Sequence, residues 1–310
     1  MMRTSVPVRG ASHAIALAAL AFACTVSADP IVLDPRLIAK PGEHVLVGAG
    51  DIATCGSDVA EATARVVEQV LARSNNAVAF TAGDNAYQDG SLEEYRRCYA
   101  PSWGRFLDRT LPVAGNHEYG TPGAAGYFAY FGKRAGDARA PWRSVMKGAW
   151  QILLLDSNCK EVGGCAPGTP QGSWLATELA ATKAKCTVAI WHHPRFSSGH
   201  HGDDRRSEPL WSMLEQAHAE LVISGHDHTY ERFSPLLANG TRDDVTGLTS
   251  FVVGTGGRKA YPLMRKAPGS ANSFTNIPGV LVLFLEDNGY RAYFVDTAGQ
   301  VRDEHVGRCR

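Results

Sequence analysis

Short apolar runs alternate with stretches of helical spacing between positions 43 and 306. Positions 44–49 read as a strand that stops at Gly50-Asp51, and 77–81 as a second that stops at Gly83-Asp84. Between them Ser57 can cap a helix running to Arg73, with Val59, Val66, Val70 and Leu71 near one face. Ser91-Leu92-Glu93-Glu94 has the form of a capping box. Further strands are predicted over 111–114, 152–155, 187–191 and 221–224, and helices over 173–183 and 209–218. Strands over 251–253, 280–285 and 291–295 complete the pattern. Strands that alternate with helices imply an α/β layered fold.

The polar residues that follow the strands say more than the alternation. Five strands end in Gly-Asp, Gly-Asp, Gly-Asn-His, His-His and Gly-His-x-His. Ligands of open α/β sheets bind beyond the carboxyl ends of the strands, so these residues should converge on one crevice.

The first 28 residues read as a secretion signal rather than as structure. Arg3 and Arg9 precede an apolar run over 14–23, and Val26-Ser27-Ala28 is a small-residue cleavage pattern, with the cut expected after Ala28. Two other readings are an uncleaved anchor and a lipoprotein cut before Cys24. The run is short for a span, and Ala21-Phe22-Ala23-Cys24 is a poor lipid-attachment box. Residues 29–42 form a lead-in, and 43–306 are expected to be one domain. No later run is long enough to cross a membrane.

Composition narrows the class. Apolar residues make up 44% and charged residues 20%, which excludes a disordered chain. The formal net charge is zero, and losing the signal leaves the mature chain at −2. A binder that neutralises nucleic-acid phosphates would carry a basic excess, so no nucleic-acid module is expected. Of the seven cysteines, Cys24 lies in the signal and six remain. An even count in an exported chain suggests three disulfides. Cys159 and Cys165 can close a local Gly-rich loop. Cys55 with Cys98 and Cys186 with Cys309 is one further pairing among several, and free thiols are the other reading.

Seven candidate metal donors sit at the strand ends: Asp51, Asp84, Tyr87, Asn116, His192, His226 and His228. They exceed the needs of one tetrahedral ion and suit two ions that share a bridging carboxylate. His226 and His228 are two apart in extended chain and so face one way. His192 and His193 are adjacent and should diverge, so only one is expected to be a ligand.

The blocks Gly50-Asp51-Ile52-Ala53, Gly83-Asp84-Asn85-Ala86-Tyr87, Gly115-Asn116-His117-Glu118, Ile190-Trp191-His192-His193-Pro194 and Gly225-His226-Asp227-His228 together resemble, in order, those of calcineurin-like metallophosphoesterases. Within that superfamily they are most similar to purple acid phosphatases. Ala53 stands where general members carry a ligand histidine, and Tyr87 stands where the purple enzymes place a phenolate ligand. Ala53 departs from the Gly usual in the purple enzymes.

The resemblance implies a layered αββα sandwich, with two mixed β-sheets flanked by helices. It also implies a dinuclear centre that hydrolyses phosphate monoesters. Asp51, Tyr87, His228 and bridging Asp84 would hold one ion. Asn116, His192, His226 and the same Asp84 would hold the other. Hard anionic donors in the first set favour Fe(III), while imidazole and amide in the second suit a divalent Zn, Mn or Fe. A trivalent ion acidifies bound water strongly, which makes hydroxide available at mildly acidic pH.

Other roles follow from the same likeness. His117 would face the substrate phosphate and assist the leaving group. His201 would also face the substrate, with the adjacent His200 as the reserve. Arg195 could contact phosphate, or could pair with Asp203 or Asp204. Glu118 is expected to orient a histidine, and Asp227 to face away from the metals. Asn239-Gly240 reads as a hairpin turn rather than a glycosylation site, and Gly254–Gly257 as a turn near the centre.

The leading expectation is therefore a secreted or periplasmic phosphatase acting on a small phosphorylated substrate, with its oligomeric state open. A phosphodiesterase or nucleotidase on the same scaffold is the nearest alternative. An exported metal-binding protein without hydrolysis is the alternative of another class. The 15 residues between the expected cleavage site and the first strand leave no room for the extra N-terminal sandwich of plant-type enzymes.

Overall fold

Strand His44–Ala49 shows how side-chain alternation builds the layers. Val45, Val47 and Ala49 enter one buried cluster, while Leu46 enters another on the opposite face. Both faces are covered, so the strand reads as a continuous apolar run. The computed structural model describes residues 1–2 and 31–310. Apart from Met1 and Met2, the expected signal segment lies outside the described residues.

Two large mixed sheets form the centre. The six-stranded sheet runs in the order Val301–Arg308, Gly289–Asp296, Gly279–Glu286, His44–Ala49, Ala77–Thr81, Thr110–Leu111. The seven-stranded sheet runs Ser270–Phe274, Tyr230–Leu236, Leu248–Val253, Leu221–Ser224, Cys186–Ile190, Trp150–Leu154, Arg143–Lys147. One core cluster, with Leu46, Phe80, Ile152, Val188 and Leu281, fills the space between the sheets. A second lies between the first sheet and helix Val59–Arg73, which buries Ala60, Thr63, Ala64, Val66, Val67, Val70 and Leu71. A third lies between the second sheet and helices Pro170–Ala181 and Glu208–Gln216. Three buried interfaces between four layers make the αββα sandwich that the sequence led us to expect.

Several elements differ from expectation, each for a local reason. The strand expected over 111–114 is only Thr110–Leu111. Pro112 has no N–H to continue the ladder, and the Val113 N–H donates to Thr81 Oγ1 instead. Strands Arg143–Lys147, Ser270–Phe274 and Val301–Arg308 lie at sheet edges, and Tyr230–Leu236 lies one strand in from an edge. Val301–Arg308 exposes every second residue, and its one buried position is Asp303, so it offers no apolar run to read. The capping box at Ser91 and Glu94 is formed.

The compact unit spans Ile31–Arg310. Residues 31–42 of the lead-in are part of it, because Leu33 and Leu37 are buried in the helix-side core and the Asp34 N–H donates to Gly299 O. The terminal strand runs to Arg308, past position 306. All three expected disulfides are present: Cys55–Cys98, Cys159–Cys165 and Cys186–Cys309. Gly240 has a positive φ and sits in the turn after Tyr230–Leu236, as the Asn-Gly pair led us to expect.

Candidate metal centre

The parallel strands of both sheets deliver their polar ends to one place. Asp51 and Asp84 follow neighbouring strands of the first sheet, and His192 and His226 follow neighbouring strands of the second. Asp51, Asp84 and His226 all take positive φ, a left-handed conformation that turns the side chain out of the strand direction. Two glycines make the approach possible. A Cβ on Gly83 would lie 2.5 Å from His192 Nδ1, and one on Gly115 would lie 2.2 Å from Asp84 Oδ1.

Asp84 stands between two groups of donors. Its Oδ2 accepts from the Tyr87 hydroxyl at 2.9 Å, and the same hydroxyl reaches Asp51 Oδ1 at 2.9 Å. Asp51 Oδ1 in turn lies 3.3 Å from His228 Nε2. On the other side, Asp84 Oδ1 lies 3.3 Å from His192 Nε2. His192 Nε2 is 3.1 Å from Asn116 Oδ1 and 3.2 Å from His226 Nδ1. All seven expected donors thus fall into two sets that share one carboxylate. Donor atoms of Asp51, Asp84 and His192 lie within 4.8 Å of one another, as do those of His192, His193 and His226.

The electrostatics fit cation binding. Burial raises the Tyr87 hydroxyl well above its ordinary value, and the charges of Asp51 and Asp84 raise it further. Burial opposes ionisation of Asp84, but His192 and His117 hold its carboxyl well below the usual range. Anionic oxygens, a phenol and imidazoles are costly to bury together unless something pairs with them. A cation pair would meet that need, so the residues present fit the two ions.

His193 departs from the expected divergence. Its Nδ1 meets Ser157 Oγ at 2.8 Å, while its buried Nε2 has no hydrogen-bond partner among the described residues and its ring lies 4.5 Å from His226. Burial first, and then His192 and His226, push its pKa well down, so it is a neutral ring against the second set.

Of the substrate-side candidates, His117 bonds Gln88 O through Nδ1 at 2.5 Å, which leaves Nε2 3.8 Å from Asp84 Oδ2. His201 bonds Asp227 Oδ1 through Nδ1 at 3.0 Å, and its ring lies 4.1 Å from His226. His200 is exposed and touches His201 and Tyr261 only by ring contacts among the described residues.

Two readings need correction. Arg195 is buried. It pairs with Glu208 at 3.1 Å and donates to Ala238 O at 2.7 Å, so its ion pair is with the second sheet's helix rather than with Asp203 or Asp204. Glu118 orients backbone rather than a histidine. Its oxygens accept from the N–H groups of Asp84, Asn85 and Gly115 and from the Tyr95 hydroxyl, which locks two ligand loops together.

Sequence reasoning missed Arg258 and Tyr261. The Tyr261 hydroxyl reaches His226 O at 2.9 Å and His201 Nδ1 at 3.0 Å. The Arg258 guanidinium lies 4.4 Å over the Tyr87 ring. Both follow the Gly254–Gly257 turn, which was the available signal.

A family model for calcineurin-like phosphoesterases matches residues 40–230, and the chain belongs to that family. An uncharacterized protein of Mycobacterium tuberculosis is 29% identical over 184 residues, which covers 47% of this chain and 35% of that one. Probable purple acid phosphatase 20 of Arabidopsis thaliana is 33% identical over 194 residues, which covers 53% of this chain and 43% of that one. The chain spans between 24% and 35% of the length of the first curated relatives. A purple acid phosphatase from yellow lupin (Lupinus luteus) seeds superposes with a TM-score of 0.71 at 18% identity, covering 86% of this chain and 54% of that one. The anchor protein of the Plasmodium inner membrane complex gives 0.63 at 16%, covering 86% and 89%. These two likenesses show the fold.

Proposed function

We propose that this chain is an exported phosphoester hydrolase of the purple acid phosphatase type, acting on phosphate monoesters. The observation that carries the reading is the Tyr87 hydroxyl set 2.9 Å from both Asp51 and Asp84. A phenol at that point makes a hard, anionic donor set suited to Fe(III). Asp51, Tyr87, His228 and Asp84 would hold it, and Asn116, His192, His226 and Asp84 would hold a divalent Zn, Mn or Fe. When bound, the ions supply Lewis-acid charge to the phosphoryl oxygens and make water a nucleophile at mildly acidic pH.

The chain's own residues do the rest. His117 lies beside Tyr87 and Asp84, and His201 beside His226. Each has its Nδ1 committed to an oxygen partner, which orients Nε2 to hold a proton for the departing alcohol. Three disulfides and the signal-like N-terminus support a secreted or periplasmic home.

The test is a visible absorption spectrum of the oxidised, metal-loaded protein, together with phosphate release from an aryl phosphate. A phenolate-to-Fe(III) band that Tyr87→Phe removes is the expected result. A colourless, metal-loaded protein would mean a wholly divalent centre and would make diesters the substrates to try next. No phosphate release with both ions bound would refute the phosphatase reading.

A further inference from the structure

Beside His228 lies a pocket of about 340 Å³ that shares a wall with the metal centre. Three half-buried apolar side chains, Val59, Ile277 and Pro278, line it, and two cations, Arg258 and Lys259, stand at its rim. No acidic side chain lines it among the described residues.

The loop that carries the cations is stitched to the ligand-bearing backbone. The Gly256 N–H donates to Gly50 O at 2.9 Å, and the Arg258 N–H donates to Asp51 O at 2.8 Å. A Cβ on Gly257 would lie 2.3 Å from Ile52 O, so the close approach needs that glycine. Among the described residues, Arg258 is then held by neutral partners, Thr54 Oγ1 at 3.2 Å, Gln88 Oε1 at 3.0 Å and the Tyr87 ring at 4.4 Å. Lys259 lends its carbonyl to His228 Nδ1 at 2.8 Å and leaves its ammonium exposed.

Apolar walls and paired cations make different demands on an occupant. An apolar cavity of roughly 150 Å³ already holds benzene, so this volume admits a ring with a substituent. Cations that keep full charge over a low-dielectric wall attract an anion strongly. The recess beside Asn116 is smaller, at about 250 Å³, and mixes Lys160 and Arg206 with Glu161. Arg206 is already tied to Asp204 at 2.5 Å, and Glu161 is an acid of the kind that the pocket beside His228 lacks among the described residues.

From this contrast we infer that the pocket beside His228 selects the alcohol half of the substrate. It takes an apolar ring that carries a second negative charge, packed on Val59, Ile277 and Pro278 and held by Arg258 and Lys259. The inference rests on the phosphomonoesterase reading and names its substrate class.

Comparing 4-carboxyphenyl phosphate, phenyl phosphate and glycerol 3-phosphate on the metal-loaded protein tests it. The carboxylated ester should exceed phenyl phosphate in kcat/KM by about tenfold, the worth of one charge-assisted hydrogen bond. Lys259→Met should remove most of that excess. Ile277→Asp should lower both aryl esters relative to glycerol 3-phosphate. Equal kcat/KM for the two aryl esters, or an excess that survives Lys259→Met, would overturn the inference. If no ester is hydrolysed, the phosphatase reading has failed and binding decides the pocket separately. In that case 4-hydroxybenzoate should bind the metal-free protein more tightly than phenol, by NMR titration, and Lys259→Met should abolish the difference. Equal or absent binding of the two would overturn the pocket as well.

Discussion

Asp227 meets His201 twice: its carboxylate accepts the His201 main-chain N–H at 2.9 Å and lies 3.0 Å from the ring Nδ1. It also accepts a short hydrogen bond from the Ser197 hydroxyl. Burial would raise this carboxyl, but His201 and Ser197 hold it down at about 2, so it is an anion at any working pH. A fixed anion at Nδ1 keeps the proton there and leaves the far nitrogen for the substrate. A residue between the two candidate ligands His226 and His228 thus holds the loop that carries His201.

Replacing Asp227 by Asn keeps the shape and removes the charge. Partners that orient a functional histidine are typically worth about 10–100-fold when lost. We therefore expect kcat on an aryl phosphate to fall by about that factor while metal content stays at two ions per chain by elemental analysis. Unchanged kcat would show that the Asp227 charge does not position His201.

The paired change His117→Ala and His201→Ala separates hydrolysis from mere metal holding. Neither ring is needed to complete the two donor sets, so the double variant should keep its ions. General acid–base groups contribute roughly 10²–10⁴-fold, and losing both candidates should bring turnover close to background. Turnover that survives the double change would assign proton transfer to other groups, with His200 the first to try.

Asp51, Asp84, His192 and His226 stood out as candidates because each comes just after an apolar strand, whereas Tyr87 lies in the two-residue strand Ala86–Tyr87 and Asn116 lies five positions past Leu111. The partition into two sets was not legible from spacing. It depends on Asp84 presenting one oxygen to Tyr87 and the other to His192, residues 3 and 108 positions away. Arg258 and Tyr261 were missed because the Gly254–Gly257 turn marked their loop without showing that its backbone crosses over to Asp51. Arg195 misled for a related reason. A long cation beside a catalytic loop looks free in sequence, and only the fold shows Glu208 waiting for it. Edge strands such as Val301–Arg308 were missed because one half-exposed face breaks the apolar run.

Gly115→Ala tests whether the centre depends on close backbone approach. The new Cβ would fall 2.2 Å from Asp84 Oδ1 and 2.4 Å from Asp84 N. Asp84 is fully buried and cannot swing aside cheaply, so the shared carboxylate has to move. The expected outcome is at least a tenfold loss of metal affinity, by competition with a chelator, with the far-ultraviolet circular dichroism unchanged. Normal affinity would mean that the loop relaxes without disturbing Asp84.

Stability should depend on pH through a carboxylate that is not part of the candidate metal centre. Asp303, on the terminal strand of the first sheet, accepts from Tyr230 Oη at 2.7 Å and from Arg232 Nε at 2.7 Å. It also accepts from Asn272 Nδ2 at 2.8 Å, and these three partners belong to the second sheet. Burial opposes ionisation of this carboxyl, but Arg232, Asn272 and Tyr230 hold it below its ordinary value. A depressed carboxylate adds stability above its unfolded value, about 3.9, and loses it as pH falls through the lower folded value. Asp303→Asn removes the charge and leaves Arg232 without its anion. That should cost roughly 1–3 kcal/mol near pH 7. The gap between wild type and variant, followed by urea denaturation across pH, should hold steady down to about pH 4 and narrow below it. A gap that does not change with pH would mean that Asp303 ties the sheets together by shape and neutral hydrogen bonds, and that its charge adds nothing.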